Sequence, residues 1–231
     1  MSEKIFYFLI SLILMIGIGV FLVIQGVIFS PKKMQIAPKP FDQSREVDNQ
    51  VTTQIITDTS AEKTQKNMLN PLDKAVKRIS KKPFGIYIDA KSSPVQPERF
   101  SGFHTGVDLE TNPDEQNVNV PVRALCEGKV LMVKVSSGYG GVLVQSCTLD
   151  NQAVTVVYGH LNFDSIKIAQ GANVVAGDFL ANLGKGFSEE TDGERKHLHL
   201  AIHKGAGVNI LGYVQDKTLL TNWIDPITYL H

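Results

Sequence analysis

By its hydrophobic pattern the chain divides into three unlike stretches. Residues 5–29 carry no charged side chain, and only Ser11 and Gln25 interrupt the apolar run with clear polarity. As a helix this run would rise about 37 Å, more than the ~30 Å of a hydrocarbon core. It leaves no polar face, which a helix packed at a protein surface would need. It is also longer than the apolar part of a cleaved signal, about 7–15 residues, and lacks a small-x-small cleavage site. The pattern predicts a retained transmembrane anchor over residues 1–30. Residues 31–68 then lose most apolar positions, carry Pro31, Pro38 and Pro40, and are rich in Ser, Thr, Gln and Asn. Such a stretch buries little apolar surface and reads as a flexible polar linker.

Periodic patterning begins near Leu69. Leu72, Ala75, Val76 and Ile79 fall on one helical face, with Asn70 as a cap and Pro71 at the first position, so a short amphipathic helix is expected over 69–82. The period then changes from helical to alternating. Residues 83–88, 107–109, 128–135, 142–147, 154–158, 166–168, 174–175, 179–183 and 198–202 read as strands punctuated by glycine turns. Ser136-Ser-Gly-Tyr-Gly-Gly141 joins two of them as a hairpin. The expected fold over 83–231 is mainly β: a compact antiparallel domain with short strands and an open groove. The charged run 189–196 reads as a surface loop.

Charge narrows the function classes. Lys and Arg together number 23, as do Asp and Glu, so the formal net charge is zero and nothing indicates a nucleic-acid binder. Around the apolar run the balance is uneven. Lys4 alone precedes it, while Lys32, Lys33, Lys39 and Arg45 lie on its C-terminal side. Charge alone would keep the C-terminal part in the cytoplasm, although long domains translocate against that bias. Cys126 and Cys147 form no zinc-ribbon pattern. They read as two small buried side chains, or as a disulfide if the compartment is oxidising.

The candidate chemistry lies in three short stretches: His104-Thr-Gly-Val-Asp108, Tyr158-Gly-His160-Leu161 and His197-Leu-His199. In a strand His197 and His199 project from one face, and Leu198 and Leu200 from the other. His104 fits a loop or strand start and Asp108 a strand, with Gly106 between them letting the backbone bend. Two imidazoles and a carboxylate suit Zn²⁺ with one open position, and further histidines remain to move protons. His203 continues the face of His199 but lies about 13 Å further along a strand, too far to share the ion. It reads as a rim residue, and the terminal His231 as surface.

Taken in order, these stretches resemble the lysostaphin-like, LytM-type zinc metalloendopeptidases that cut peptidoglycan peptides. Gly128-Lys-Val130, Gly138-Tyr-Gly140 and Gly171-Ala-Asn-Val-Val-Ala-Gly177 resemble other parts of the same domain, so the likeness spans roughly 83–231. It implies His104, Asp108 and His199 as ligands of one Zn²⁺, and His160 and His197 as catalytic histidines. It implies a peptidoglycan peptide as substrate, with the membrane contacted through residues 5–29. Because that substrate is extracytoplasmic, the resemblance sets the domain outside the membrane, against Lys32 and Lys33. One departure is local: Thr191-Asp-Gly-Glu-Arg-Lys196 stands where family members often carry a small, glycine-rich stretch.

Overall fold

The computed structural model describes residues 68–231. The expected anchor, and all of the linker except Met68, lie outside these residues. Among the described residues no helix is long and apolar enough to cross a membrane.

The helix expected over 69–82 shrinks to one turn, Ala75–Arg78. Lys74, at φ 55°, sits in the left-handed region just before it and prevents the helix from starting earlier. Asn70 does not cap that turn. Its side-chain oxygen accepts from the backbone N–H of His231 at 3.0 Å, tying the start of the domain to the last residue. Of the expected apolar face, Leu72 and Ala75 join the main core and Ile79 packs against it, whereas Val76 is exposed.

Twelve strands complete the domain among the described residues. The first six are β1 (Tyr87–Ile88), β2 (Gly102–His104), β3 (Gly106–Glu110), β4 (Pro121–Arg123), β5 (Gly128–Ser136) and β6 (Gly140–Leu149). The rest are β7 (Gln152–Leu161), β8 (Asn173–Val174), β9 (Phe179–Asn182), β10 (His197–Lys204), β11 (Tyr213–Val214) and β12 (Trp223–Ile224). The main sheet runs β12-β10-β7-β6-β5-β8, with β3 also paired to β10. Its pairings are antiparallel. The central strands are longer than the glycine punctuation suggested, because the β5–β6 and β6–β7 hairpins keep pairing to their ends. Residues 166–168 form no strand. Ile166 and Ile168 pack on the core from a loop instead.

Alternation sorts the two faces of this sheet. Val107 and Leu109 of β3, Leu143 of β6, Val156 and Tyr158 of β7, and Leu198, Leu200 and Ile202 of β10 point into the main core. On the opposite face a smaller apolar group of Val142, Val144, Val157, Ala201 and Trp223 flanks the histidines. Cys126 and Cys147 are joined as a disulfide, with Cα atoms 6.1 Å apart, at the edge of the main core.

Candidate active site

The site grows from one cross-strand pairing. β3 runs antiparallel to β10 with Asp108 opposite His199 and Glu110 opposite His197. Gly106 makes this possible by close approach rather than by a bend. A Cβ there would meet the Leu200 carbonyl oxygen at 2.3 Å, so only glycine lets the two strands pair. His104 enters from the end of β2, where its Nδ1 faces the Pro83 carbonyl oxygen at 3.3 Å. Donation there leaves Nε2 with a lone pair directed at the other two residues.

Three atoms then form a nearly equilateral triangle. His104 Nε2 lies 3.0 Å from His199 Nδ1. His104 Nε2 is 3.3 Å from Asp108 Oδ1, and His199 Nδ1 is 3.2 Å from the same oxygen. Ligands about 2.0–2.1 Å from a tetrahedral ion stand about 3.3 Å from one another, so this donor set fits Zn²⁺ in both chemistry and size. All three side chains are buried.

The two further histidines lie beside this triangle. His197 comes from the same face of β10, with Nδ1 2.8 Å from the Arg195 carbonyl oxygen and Nε2 3.3 Å from Asp108 Oδ2. His160 arrives by a route that strand alternation does not predict. Tyr158 points into the core, so simple alternation would send His160 there too. Instead β7 shifts register, with Leu161 opposite Gly141 and Gly159 opposite Val142, and His160 is the extra residue, at φ 61°. This bulge returns Leu161 to the core and turns His160 toward His197, ring centroids 4.3 Å apart. Its Nδ1 faces the Thr191 carbonyl oxygen at 3.3 Å.

Burial sets the protonation of these groups. It pushes His160 well below the ordinary imidazole value, and His197 nearby adds to the effect. It also lowers His199, to about 4, against the opposing pull of Asp108. Burial alone would raise the Asp108 carboxyl, but His197 and His104 more than offset it and hold Asp108 well below the carboxylate range.

The groove above the histidines encloses about 420 Å³. Asp108, His160, His197 and His199 line it, with Phe100, Tyr139, Leu211 and Tyr213 among its walls. Tyr139 wedges between His160 and His199, ring centroids 5.5 and 5.3 Å away. Tyr213 lies against His104 at 5.2 Å. His203 is outside the group, packed edge-on to Trp223 at 4.8 Å.

The run 189–196 is not the surface loop its charge suggested. Thr191, Glu194, Arg195 and Lys196 are all buried. Arg195 Nη2 donates to Asp108 Oδ2 at 2.8 Å, and its Nε donates to both oxygens of Glu110 at 3.0 Å. Burial opposes the guanidinium charge, but Asp108 and Glu110 outweigh it and keep Arg195 cationic. Arg195, Tyr139 and Tyr213 are absent from the set read off the sequence.

The antiparallel β domain thus places a buried His-Asp-His group of metal-binding size beside a groove. Residues 102–210 match the model of peptidase family M23. Among solved structures, LytU is 26% identical, with 66% of this chain and 83% of that chain covered and a TM-score of 0.46. Lysostaphin is 24% identical, with 55% and 43% covered and a TM-score of 0.40. A zinc-containing peptidase from Vibrio cholerae is 22% identical, with 63% and 41% covered and a TM-score of 0.38. No curated protein matches the chain.

Proposed function

We propose that the chain is a membrane-anchored zinc metalloendopeptidase that hydrolyses peptide cross-links of bacterial peptidoglycan. The observation that carries the reading is the donor triangle of His104, Asp108 and His199, with His160 and His197 beside it on the groove floor. Zinc held by these three residues supplies Lewis-acid polarisation of a carbonyl and activation of water near neutral pH.

The chain's own residues do the rest. With Nδ1–H of His160 donating to the Thr191 carbonyl oxygen and that of His197 to the Arg195 carbonyl oxygen, both rings keep Nε2 for proton transfer. Burial holds His160 neutral, the form that accepts a proton from attacking water. Nucleophilic attack on the scissile carbonyl and breakage of its C–N bond then require that a proton reach the leaving amine. The groove walls of Phe100, Tyr139 and Tyr213 hold an extended peptide and keep bulk water from it.

The wall substrate rests on the motif resemblance, and the anchor on the apolar run at 5–29. An extracytoplasmic domain is supported by the Cys126–Cys147 disulfide, a bond that persists in oxidising compartments. It also matches a tethered domain reaching a wall on a polar linker. The test is the full-length chain in detergent, incubated with purified peptidoglycan with and without chelator. New amino termini released only in the metal-replete sample are expected. Stoichiometric zinc without cleavage would leave a wall-binding module, and no zinc at all would remove the enzyme reading. Protease protection of the domain in intact spheroplasts would overturn its location.

A further inference from the structure

We propose that Arg195 is a positioning residue that pins one oxygen of Asp108 so that only the other faces the metal-binding triangle. The inference rests on the zinc-site reading above and adds a residue to it.

The geometry divides the carboxylate cleanly. Oδ1 faces His104 Nε2 and His199 Nδ1. Oδ2 accepts from Arg195 Nη2 at 2.8 Å. His197 Nε2 also lies 3.3 Å from Oδ2, and Arg195 makes the shorter contact. Arg195 is the permanently charged donor to Oδ2. Without it, a carboxylate only 2% exposed would lose the shorter of the two contacts to that oxygen.

Arg195 is itself fixed. Glu110, the residue opposite His197 in the ladder, takes its Nε at 3.0 Å on both oxygens. Arg195 lies two residues before β10 begins at His197, the residue opposite Glu110. From just beyond the end of the β3–β10 ladder, Arg195 reaches back to Glu110 and Asp108. The arrangement is costly as a mere structural pair. The guanidinium side chain is 8% exposed, and its Nη1 is buried with no partner among the described residues.

Oriented outer partners of metal ligands typically contribute 10–100-fold in metal affinity. The test compares zinc affinity, by chelator competition, of the full-length chain in detergent as wild type, Arg195→Gln and Arg195→Lys. Arg195→Gln is expected to weaken zinc about 10–100-fold, with a changed visible spectrum for the Co²⁺-loaded protein. Arg195→Lys, which keeps a charge but loses the two-point fork, is expected to recover part of the loss. If Arg195→Gln does not fold by near-ultraviolet circular dichroism, Arg195→Lys and Glu110→Gln decide, each expected to weaken zinc several-fold. Variants that bind zinc like wild type, with the wild-type Co²⁺ spectrum, would overturn the proposal alone. A wild-type chain that binds no zinc would instead strike at the zinc-site reading.

Discussion

Asp108 and His199 face each other as register partners in β3 and β10, with Oδ1 and Nδ1 3.2 Å apart. A slip of one residue would turn every side chain of β3 over and put Asp108 in the apolar core. The core leucines of both strands prevent it, since Leu109 lies opposite Leu198 on the buried face. The hydrophobic pattern therefore also aligns the metal donors. Asp108→Ala should remove both zinc binding and hydrolysis, measured as bound zinc per chain and as amino termini released. Retention of one zinc per folded chain would exclude Asp108 as a ligand.

His160 should behave differently, because it lies beside the triangle rather than in it. His160→Ala is expected to keep zinc and lose about 10²–10⁴-fold in kcat, the usual range for a positioned acid–base group. Full activity in that variant would show that His160 is not catalytic.

Much of this was legible because strand alternation is a local property. His197 and His199 against Leu198 and Leu200 set both the histidine face and the core face, and the β3–β10 pairing follows from the same pattern. His160 reached its place by other means. Its motif named it, but the bulge that turns it into the groove depends on a register shift against Gly141, which only the paired strand reveals. The run 189–196 misled because charge usually means solvent exposure. Here Arg195 is paired with Asp108 and Glu110, and Lys196 Nζ donates to the carbonyl oxygens of Glu115 and Val118 at 2.8 and 2.6 Å. Those partners are 78 to 87 positions away in sequence, so no local pattern could announce them.

Gly159 packs directly against the Tyr139 ring. A Cβ there would sit 2.3 Å from Tyr139 Cδ1 and 2.6 Å from Cε1. Gly159→Ala should therefore push Tyr139 out of its wedge between His160 and His199. The expected cost is about 1–3 kcal/mol of stability, with a larger fall in kcat than in zinc affinity. Combining it with Tyr139→Ala should relieve the clash, so the double variant is expected to be more stable than the two separate losses predict. Additive losses in chemical denaturation would mean that Tyr139 does not occupy this space.

The disulfide joins residues 21 positions apart. Cross-linking a loop of that length removes about 3 kcal/mol of unfolded-chain entropy in the usual model. Cys126→Ser with Cys147→Ser, or reductant on the wild type, should lower Tm by several degrees, and zinc stoichiometry should stay at the wild-type value. A reductant-insensitive Tm would show that the two thiols are free.

Beneath the groove, Lys82 and Glu98 form an ion pair at 2.6 Å with both side chains 1% exposed. Ser93 Oγ also donates to Glu98 Oε2 at 2.7 Å, and the Phe100 N–H donates to Oε1 at 3.0 Å. Lys82 Nζ donates in turn to the Tyr213 hydroxyl at 3.1 Å, and Tyr213 supports His104. Glu98→Gln would leave the Lys82 charge buried without its partner, a change that typically costs about 3–5 kcal/mol. The pH dependence fixes the sign. Burial raises the Glu98 pKa, but Lys82 and the N–H donors outweigh it, so the folded value lies below the ordinary 4.5. A depressed carboxylate contributes its stability above the unfolded pKa and loses it as pH falls through the folded one. The gap between wild type and Glu98→Gln should therefore be full at about pH 7 and narrow below about pH 4, as the wild-type carboxylate protonates. Denaturation at several pH values measures it. A gap that stayed constant into acid would show that the ionised carboxylate is not what holds Lys82 in place.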